Sequence, residues 1–291
     1  MAEMAQLVAF LLFLAQTSAP AQTRTVKLVA TDEKGTPIEF LAIEDVALLE
    51  NGVARPITSL ERDQRPLTVA VIVDSSEPMG TIFRLHVVEG VLQLLRRLPE
   101  GTRFAVWTTG DRPTKVVDYT TEVSTTVTSA LRRVAPMGGN TLLDAIVEAT
   151  DDLKAEEGRR TAMVVVTGLG IGFANRSRQA VVEKTQDKLD TFLAVAFEDG
   201  RGPVNAPDRE ETGPADYEYV LSNLARRTGG DFQSILSAMG VPQALQKVAS
   251  ELRGQYRLTY ATVPDLKSRK LEVHLARPGV KARVVAGADA R

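Results

Sequence analysis

The central part of the chain alternates short apolar runs with amphipathic segments. Residues 67–74, "LTVAVIVD", are almost continuously apolar and β-branched, which is typical of a parallel strand covered on both faces. The next segment, residues 84–98, predicts a helix whose apolar face carries Leu85, Val88, Leu92 and Leu95. Strand and helix patterns then alternate as far as residue 253. This alternation predicts an α/β fold with a mostly parallel, Rossmann-like sheet, helices on both faces, and ligand sites at the carboxyl ends of the strands.

Both ends of the remaining chain show strand patterns without long helices. In residues 22–63, Asn51-Gly52 separates two apolar runs and predicts a tight hairpin. Residues 255–291 return to strand-like alternation. Because the ends of a domain often lie close together, we expect these two segments to form one small β unit beside the α/β domain of residues 66–253.

Residues 1–21 have the pattern of a secretory signal peptide. The apolar run from Leu7 to Ala15 is too short to span a bilayer, and Ala19 and Ala21 offer small residues for cleavage. A buried or amphipathic first helix is the alternative, since Glu3 stands where a basic residue is usual. The signal predicts a protein that is secreted, periplasmic or held at the cell envelope.

Composition limits the classes of partner. The chain has 291 residues, 44% of them hydrophobic, and a formal net charge of -2. Such a balance gives no basic field for nucleic acid or an anionic membrane, and no later apolar run reaches membrane-spanning length. With no cysteine, an exported form relies on its core and not on disulfides.

The strand of residues 67–74 runs into an oxygen-rich loop, "SSEPMG". Asp74 and Ser76 stand at alternate positions, where two side chains of a tight loop can present oxygen atoms to one hard cation such as Mg²⁺. Pro78, two residues further on, has no side-chain oxygen. A strand-end Asp or Ser can equally accept hydrogen bonds from loop and helix-start amides without any metal.

Five motifs in order resemble a von Willebrand factor type A domain: "VAVIVD", "SSEPMG", "GGNTLLDAI", "MVVVTG" and "LARRTGG". The likeness covers roughly residues 66–235. The leader "TVKLVATDEKGTPIEF" and the closing "RKLEVHLARPGVKARV" extend it to the secreted von Willebrand type A-related proteins of Acidobacteria. The resemblance implies a metal-ion-dependent adhesion site, where a bound cation takes a carboxylate from the partner. The matching positions are Asp74, Ser76, Pro78, Thr141 and Gly168.

Two of these five positions depart from the family pattern. The resemblance implies a serine where this chain has Pro78 and an aspartate where it has Gly168. Asp74 is left as the one motif carboxylate, with Ser76 and Thr141 as neutral donors, a poor ligand set for a strongly hydrated dication. Glu77 offers a replacement charge.

Asp144 resembles the acid that the family usually has shortly after the threonine. Its place early in a predicted helix also suits the helix dipole.

Two catalytic interpretations are weaker. The stretch "VVVTGLGIGFANRS" places glycines between a strand and a helix, but Phe173 stands where a dinucleotide loop needs its third glycine. His86 and His274 have no neighbouring nucleophile motif, and no G-x-S-x-G or H-E-x-x-H pattern is present.

The sequence therefore predicts an exported, non-catalytic protein-binding or scaffold module with a degenerate metal site and an unidentified protein partner. No cofactor is expected beyond weak binding of Mg²⁺ or Mn²⁺ at Asp74, Ser76 and Thr141. Contact with the partner is assigned to the loops of residues 75–80, 137–141, 168–175 and 200–214. The alternative is a working metal-dependent adhesion module.

Overall fold

The computed structural model describes residues 22–38, 40–153, 159–170, 172–198, 213–264 and 269–285. The predicted signal peptide, residues 1–21, and nearly all of the predicted contact loop of residues 200–214 lie outside these ranges.

A six-stranded sheet forms the centre of the molecule. Its strands are β5 (Leu67–Val73), β6 (Arg103–Thr108), β7 (Thr114–Thr120), β8 (Arg160–Gly168), β9 (Thr191–Phe197) and β10 (Asp231–Ile235). They lie in the order β10-β9-β8-β5-β6-β7, and only the β6–β7 pairing is antiparallel. The predicted mostly parallel sheet is confirmed. The sequence pattern did not indicate β10, because this edge strand is half-buried and has no continuous apolar run.

Helices cover both faces of this sheet, as predicted. The helices are α1 (Gly80–Ile82), α2 (Glu89–Arg97), α3 (Thr125–Arg133), α4 (Leu142–Asp152), α5 (Arg178–Thr185), α6 (Pro214–Thr228) and α7 (Val241–Arg253). Short 3₁₀ turns occupy Ile43–Asp45, Glu77–Met79 and Ala238–Gly240, and a π-helical segment, Phe83–Val88, joins α1 to α2. One core packs α2, α3 and α7 against Val69, Val71 and Val73; the other packs α4, α5 and α6 against Ala70 and Ile72.

The π-helical segment corrects one expectation about the first helix. Leu85 was predicted to share the buried face with Val88, Leu92 and Leu95, but its side chain is 68% exposed. A π turn adds one residue per turn, so the residues that follow it are rotated relative to an ideal α-helix. Phe83 and Val87 are buried instead.

The two terminal segments meet in two small sheets. Their strands are β1 (Gln22–Asp32), β2 (Val46–Glu50), β3 (Val53–Arg55), β4 (Ile57–Arg62), β11 (Gln255–Thr262), β12 (Leu271–Leu275) and β13 (Val280–Val285). The orders are β13-β1-β11-β4 and β12-β2-β3, so each sheet combines strands from both ends of the chain. The predicted β unit is confirmed, and the Asn51-Gly52 turn has the positive φ angles of a tight hairpin, 52° and 78°. The exact domain boundaries stay a prediction.

Buried polar side chains connect these layers. Glu50 is fully buried and accepts hydrogen bonds from Tyr260 Oη, Thr262 Oγ1 and Arg55 Nε, which joins the two small sheets. Arg160, at the start of β8, donates from Nη1 to Gln255 Oε1 at 2.8 Å and so ties the central sheet to β11. Both groups satisfy the rule that a buried charge needs partners.

Within the described ranges, no helix is long and apolar enough to cross a membrane.

A matched pair of substitutions tests the π turn. We expect Leu92→Ala to lower the free energy of unfolding by about 2 to 5 kcal/mol, because a fully buried leucine leaves a cavity. Leu85→Ala should change it by less than about 0.5 kcal/mol, since this side chain faces solvent. Urea denaturation measures both values. Equal losses would show that Leu85 is packed in the core.

Candidate functional site

Asp74 lies at the carboxyl end of β5, where its carboxylate is buried at 2% exposure. Its backbone N–H donates to Val166 O at 2.8 Å, which fixes it beside β8. Oδ1 accepts hydrogen bonds from the backbone N–H of Ser76 at 2.9 Å and from Ser76 Oγ at 2.6 Å. This is the loop bonding expected of a strand-end aspartate followed two residues later by serine.

The other carboxylate oxygen is satisfied by residues that are distant in sequence. Oδ2 accepts from Asn140 Nδ2 at 2.9 Å, from Thr167 Oγ1 at 3.1 Å and from the Gly168 N–H at 3.0 Å. The two oxygens thus accept four hydrogen bonds from Ser76, Asn140 and Gly168, and the Thr167 hydroxyl, whose single hydrogen can instead go to Gly168 O at 2.9 Å, is a fifth donor within reach. An ionised carboxylate accepts about four hydrogen bonds, so Asp74 has its acceptor capacity filled by the protein itself.

Burial and hydrogen bonding act on Asp74 in opposite directions. Burial raises the pKa of the Asp74 carboxyl above its ordinary value, while the donors from Ser76, Gly168 and Thr167 lower it. Burial also raises the pKa of Tyr217, and the nearby carboxylates Asp74 and Asp144 add to that rise. The Tyr217 hydroxyl therefore stays protonated and donates to Asn140 O at 3.0 Å.

Thr141 does not contact Asp74 through any described hydrogen bond. Its Oγ1 donates to Thr109 O at 2.7 Å, and its N–H donates to the same carbonyl at 2.9 Å. The preceding residue, Asn140, reaches Asp74 instead. Of the three predicted ligands, Asp74 and Ser76 are hydrogen-bonded to each other. Thr141 is not bonded to either, but the residue before it, Asn140, donates to Asp74.

The two altered motif positions are filled in different ways. Pro78 lies in the first turn of the 3₁₀ segment Glu77–Met79, which suits its fixed φ. At Gly168 an added Cβ would lie 3.5 Å from Met79 Sδ and 3.7 Å from Asp74 Oδ2. The buried Met79 thioether thus lies beside the position where the family pattern has a carboxylate.

Neither Glu77, the candidate replacement charge, nor Asp144 joins Asp74 through a described hydrogen bond. Glu77 is exposed, and its backbone N–H donates to Gly138 O at 3.0 Å. Asp144 lies in the first turn of α4, as predicted, where Oδ2 accepts from the N–H of Asn175 at 2.9 Å and Oδ1 pairs with Arg176 at 3.4 Å. Asp144 therefore holds the end of the loop that follows β8, at Asn175 and Arg176.

The glycines of the neighbouring loops make room for aromatic side chains. An added Cβ at Gly172 would lie 1.5 Å from Tyr217 Oη, and one at Gly139 would lie 2.0 Å from Phe173 Cδ2. Both distances are far below any van der Waals contact. Packing accounts for Gly172 without a bound dinucleotide.

The described residues offer no catalytic constellation at this site. His86 is in the π-helical segment, and His274 is in β12 of a different sheet. No cluster of three or more His, Cys, Asp or Glu side chains that could hold a metal occurs in the described ranges.

A family model of the von Willebrand factor type A domain matches residues 69–171. This match includes Asp74, Ser76, Pro78, Thr141 and Gly168, and the sheet continues beyond it with β9 and β10. No curated protein matches the chain.

Solved structures of von Willebrand type A proteins share the fold. Proximal thread matrix protein 1 from the mussel byssus, with zinc in its metal-ion-dependent adhesion motif, is 17% identical with a TM-score of 0.51. The match covers 74% of this chain and 50% of the mussel chain, so this chain corresponds to half the length of that protein. The ArnB paralog VWA2 from Sulfolobus acidocaldarius is 11% identical with a TM-score of 0.50, over 92% of this chain and 76% of that one. At these identities the likeness concerns the fold alone.

The side chains at the motif positions do not fit the divalent cation that the fold family implies. A dication needs several free oxygen ligands in a regular shell. Here protein donors already fill the Asp74 oxygens, Ser76 and Thr141 add only neutral hydroxyl oxygens, and Pro78 and Gly168 contribute no side-chain oxygen. The amide of Asn140 occupies part of the carboxylate's coordination sphere.

Sequence reasoning missed Asn140, Thr167 and Met79. Asn140 and Thr167 directly precede the motif positions Thr141 and Gly168. Their polar side chains, next to predicted site positions, are the sequence feature that could have identified them. Met79 gave none, since an apolar loop residue next to a proline is ordinary.

Asp74→Asn tests the importance of this hydrogen-bonded cluster. We expect it to lower the free energy of unfolding by about 2 to 3 kcal/mol, because the new amide group faces buried donors and leaves them unsatisfied. Urea denaturation at neutral pH measures the change. Glu77→Gln, in the same loop but exposed, is the control and should lie within about 0.5 kcal/mol of the wild type. A loss no larger than that of the control would contradict the saturated carboxylate.

A second matched pair tests the glycine loop. Gly172→Ala should destabilise the protein by about 1 to 3 kcal/mol, because its methyl group overlaps the Tyr217 hydroxyl oxygen and the ring carbon that bears it. Gly170→Ala has no atom within 4 Å of the added Cβ and should be close to neutral. Thermal unfolding of both variants distinguishes them. If the two behaved alike, packing against Tyr217 would not explain Gly172.

Proposed function

Because the chain contains a von Willebrand factor type A domain, we propose that it is a non-catalytic protein-binding module that engages its partner without a metal ion. The loops at the carboxyl ends of the strands, residues 75–80, 137–141 and 168–175, would form the contact face, with Ile171 outside the described ranges. Export by a signal peptide of residues 1–21 is part of the proposal.

The saturated Asp74 carboxylate carries this proposal. A cation at the motif would have to displace the Asn140 amide and the hydroxyl hydrogen atoms of Ser76 and Thr167 from the carboxylate. Each displaced donor is buried and would need a new acceptor, at a cost of about 1 to 3 kcal/mol per unsatisfied group. A carboxylate at residue 168 would attract the cation and offset this cost, but Gly168 supplies none.

Binding rather than catalysis is supported by the same geometry. The one buried motif acid is engaged by donors, so it has no free lone pair to act as a base or nucleophile. The rigid hydrogen bonding of the loops instead presents a fixed surface, as expected of a pre-organised binding site.

Thermal unfolding of the wild type and of a Pro78→Ser/Gly168→Asp variant tests the proposal. We expect the wild-type midpoint to be the same in EDTA and in millimolar Mg²⁺, Mn²⁺ or Ca²⁺. The double variant should gain several degrees from a divalent ion, since the Cβ at residue 168 has room and places a second carboxylate beside Asp74. A ligand at a hundred times its Kd contributes about 2.7 kcal/mol.

Asp74→Asn in the double variant is the matched control and should abolish the metal-dependent shift. A metal-dependent rise in the wild type that disappears in Asp74→Asn would instead establish the alternative, a working metal-dependent adhesion module.

A further inference from the structure

Three strongly exposed apolar side chains belong to two segments that follow the carboxyl ends of β5 and β10 and contact each other. Among the described large apolar residues, four are more than 60% exposed: Phe40, Leu85, Leu236 and Met239. The last three, at 68%, 88% and 74%, lie in the segment Phe83–Val88 and in the short connection from β10 to α7. These two segments contact each other through the 3₁₀ turn Ala238–Gly240.

Local backbone geometry holds these side chains outward. The π turn rotates Leu85 away from the core that its sequence spacing predicts. Met239 lies between the buried Ala238 and Val241, so the 3₁₀ turn is anchored while Met239 points into solvent. The backbone that carries these side chains is held in place by buried neighbours. Exposed apolar side chains that lie together commonly mark an interaction site.

The charged residues within these segments are basic, and two acids, Glu89 and Glu198, border them. Arg84 neighbours Leu85, and Arg132 and Arg133 end α3, which contacts the π-helical segment. All three arginines are exposed, and no described ion pair involves them. The segments of residues 83–88, 125–133 and 236–241 contain no Asp or Glu. Glu198 borders them on the β9 side, where its N–H donates to Ile235 O at 3.1 Å.

We propose that these six residues form a docking surface for a protein segment that combines acidic and large apolar side chains. We call it the Leu85 surface; it comprises Leu85, Leu236, Met239, Arg84, Arg132 and Arg133. The apolar groups bind the partner's apolar anchors, and the three guanidinium groups pair with its carboxylates. This inference rests on the proposed protein-binding function and names the chemistry of the partner.

Charge complementarity selects this occupant over a second copy of the chain. Pairing two Leu85 surfaces would bring six guanidinium groups together without a carboxylate in either surface. An acidic partner neutralises these charges and also gains faster association at low salt.

Selection from a library of random displayed peptides on the immobilised protein, in EDTA, tests the inference. We expect the enriched peptides to combine Asp or Glu with Leu, Phe or Met, and their affinity to fall as salt is raised. Leu236→Ser/Met239→Ser and Arg132→Glu/Arg133→Glu should each weaken binding of an enriched peptide by about tenfold or more.

Matched controls use the same residue types elsewhere. Phe40→Ser removes another exposed apolar side chain, and Arg226→Glu/Arg227→Glu reverses an exposed arginine pair at the end of α6. Both should leave peptide affinity unchanged, and circular dichroism should show that all four variants are folded.

Failure of the docking surface and failure of the proposed function give different results. Peptides that bind in EDTA equally well to both Leu85-surface variants, or an absence of enriched acidic-apolar peptides, would overturn the inference and leave metal-independent binding standing. Binding that requires a divalent ion and is lost in Asp74→Asn would overturn the proposed function. Self-association of the wild type that the Leu236→Ser/Met239→Ser change abolishes would make a second copy the occupant.

Discussion

The hydrogen bonding of one buried carboxylate organises the candidate site. Asp74 ends β5, and its partners come from its own loop, from the residue before Thr141, and from the end of β8. One acid thus ties together three segments that are far apart in sequence. Burying a carboxylate is costly unless it is well hydrogen-bonded, so these donors are required for the strand ends to meet as they do. The same donors take the place that a cation's charge would hold.

Packing extends this constraint to the surrounding loops. Tyr217 of α6 donates to Asn140 O and lies against Gly172, while the Phe173 ring lies over Gly139. Asp144 then holds the Asn175 backbone. The loops that follow β8 and precede α4 therefore support one another, and the face they form is fixed before any partner arrives. A pre-organised face binds with a smaller loss of conformational entropy than a disordered one.

The terminal sheets depend on buried charges for their attachment. Glu50 accepts hydrogen bonds from residues of β3 and β11, and Arg160 reaches from β8 to Gln255 of β11. Lys27 of β1 pairs with Asp190, just before β9, at 3.0 Å. Strands from opposite ends of the chain are therefore held against the central sheet by specific pairs. Apolar packing by Val26, Leu28 and Leu258 fills the space between these pairs.

The sequence by itself determined the layers of the fold. A short β-branched apolar run between turn signals, such as residues 67–73, is typical of a strand buried on both faces, and the spacing of apolar residues between such runs predicts the helices. The tertiary structure alone decided which groups surround Asp74. Asn140 and Thr167 reach it from elements distant in sequence, and the local spacing of residues does not predict their positions. It also decided that Leu85 faces solvent, since a π turn changes the helical register without changing the spacing of residues in the sequence.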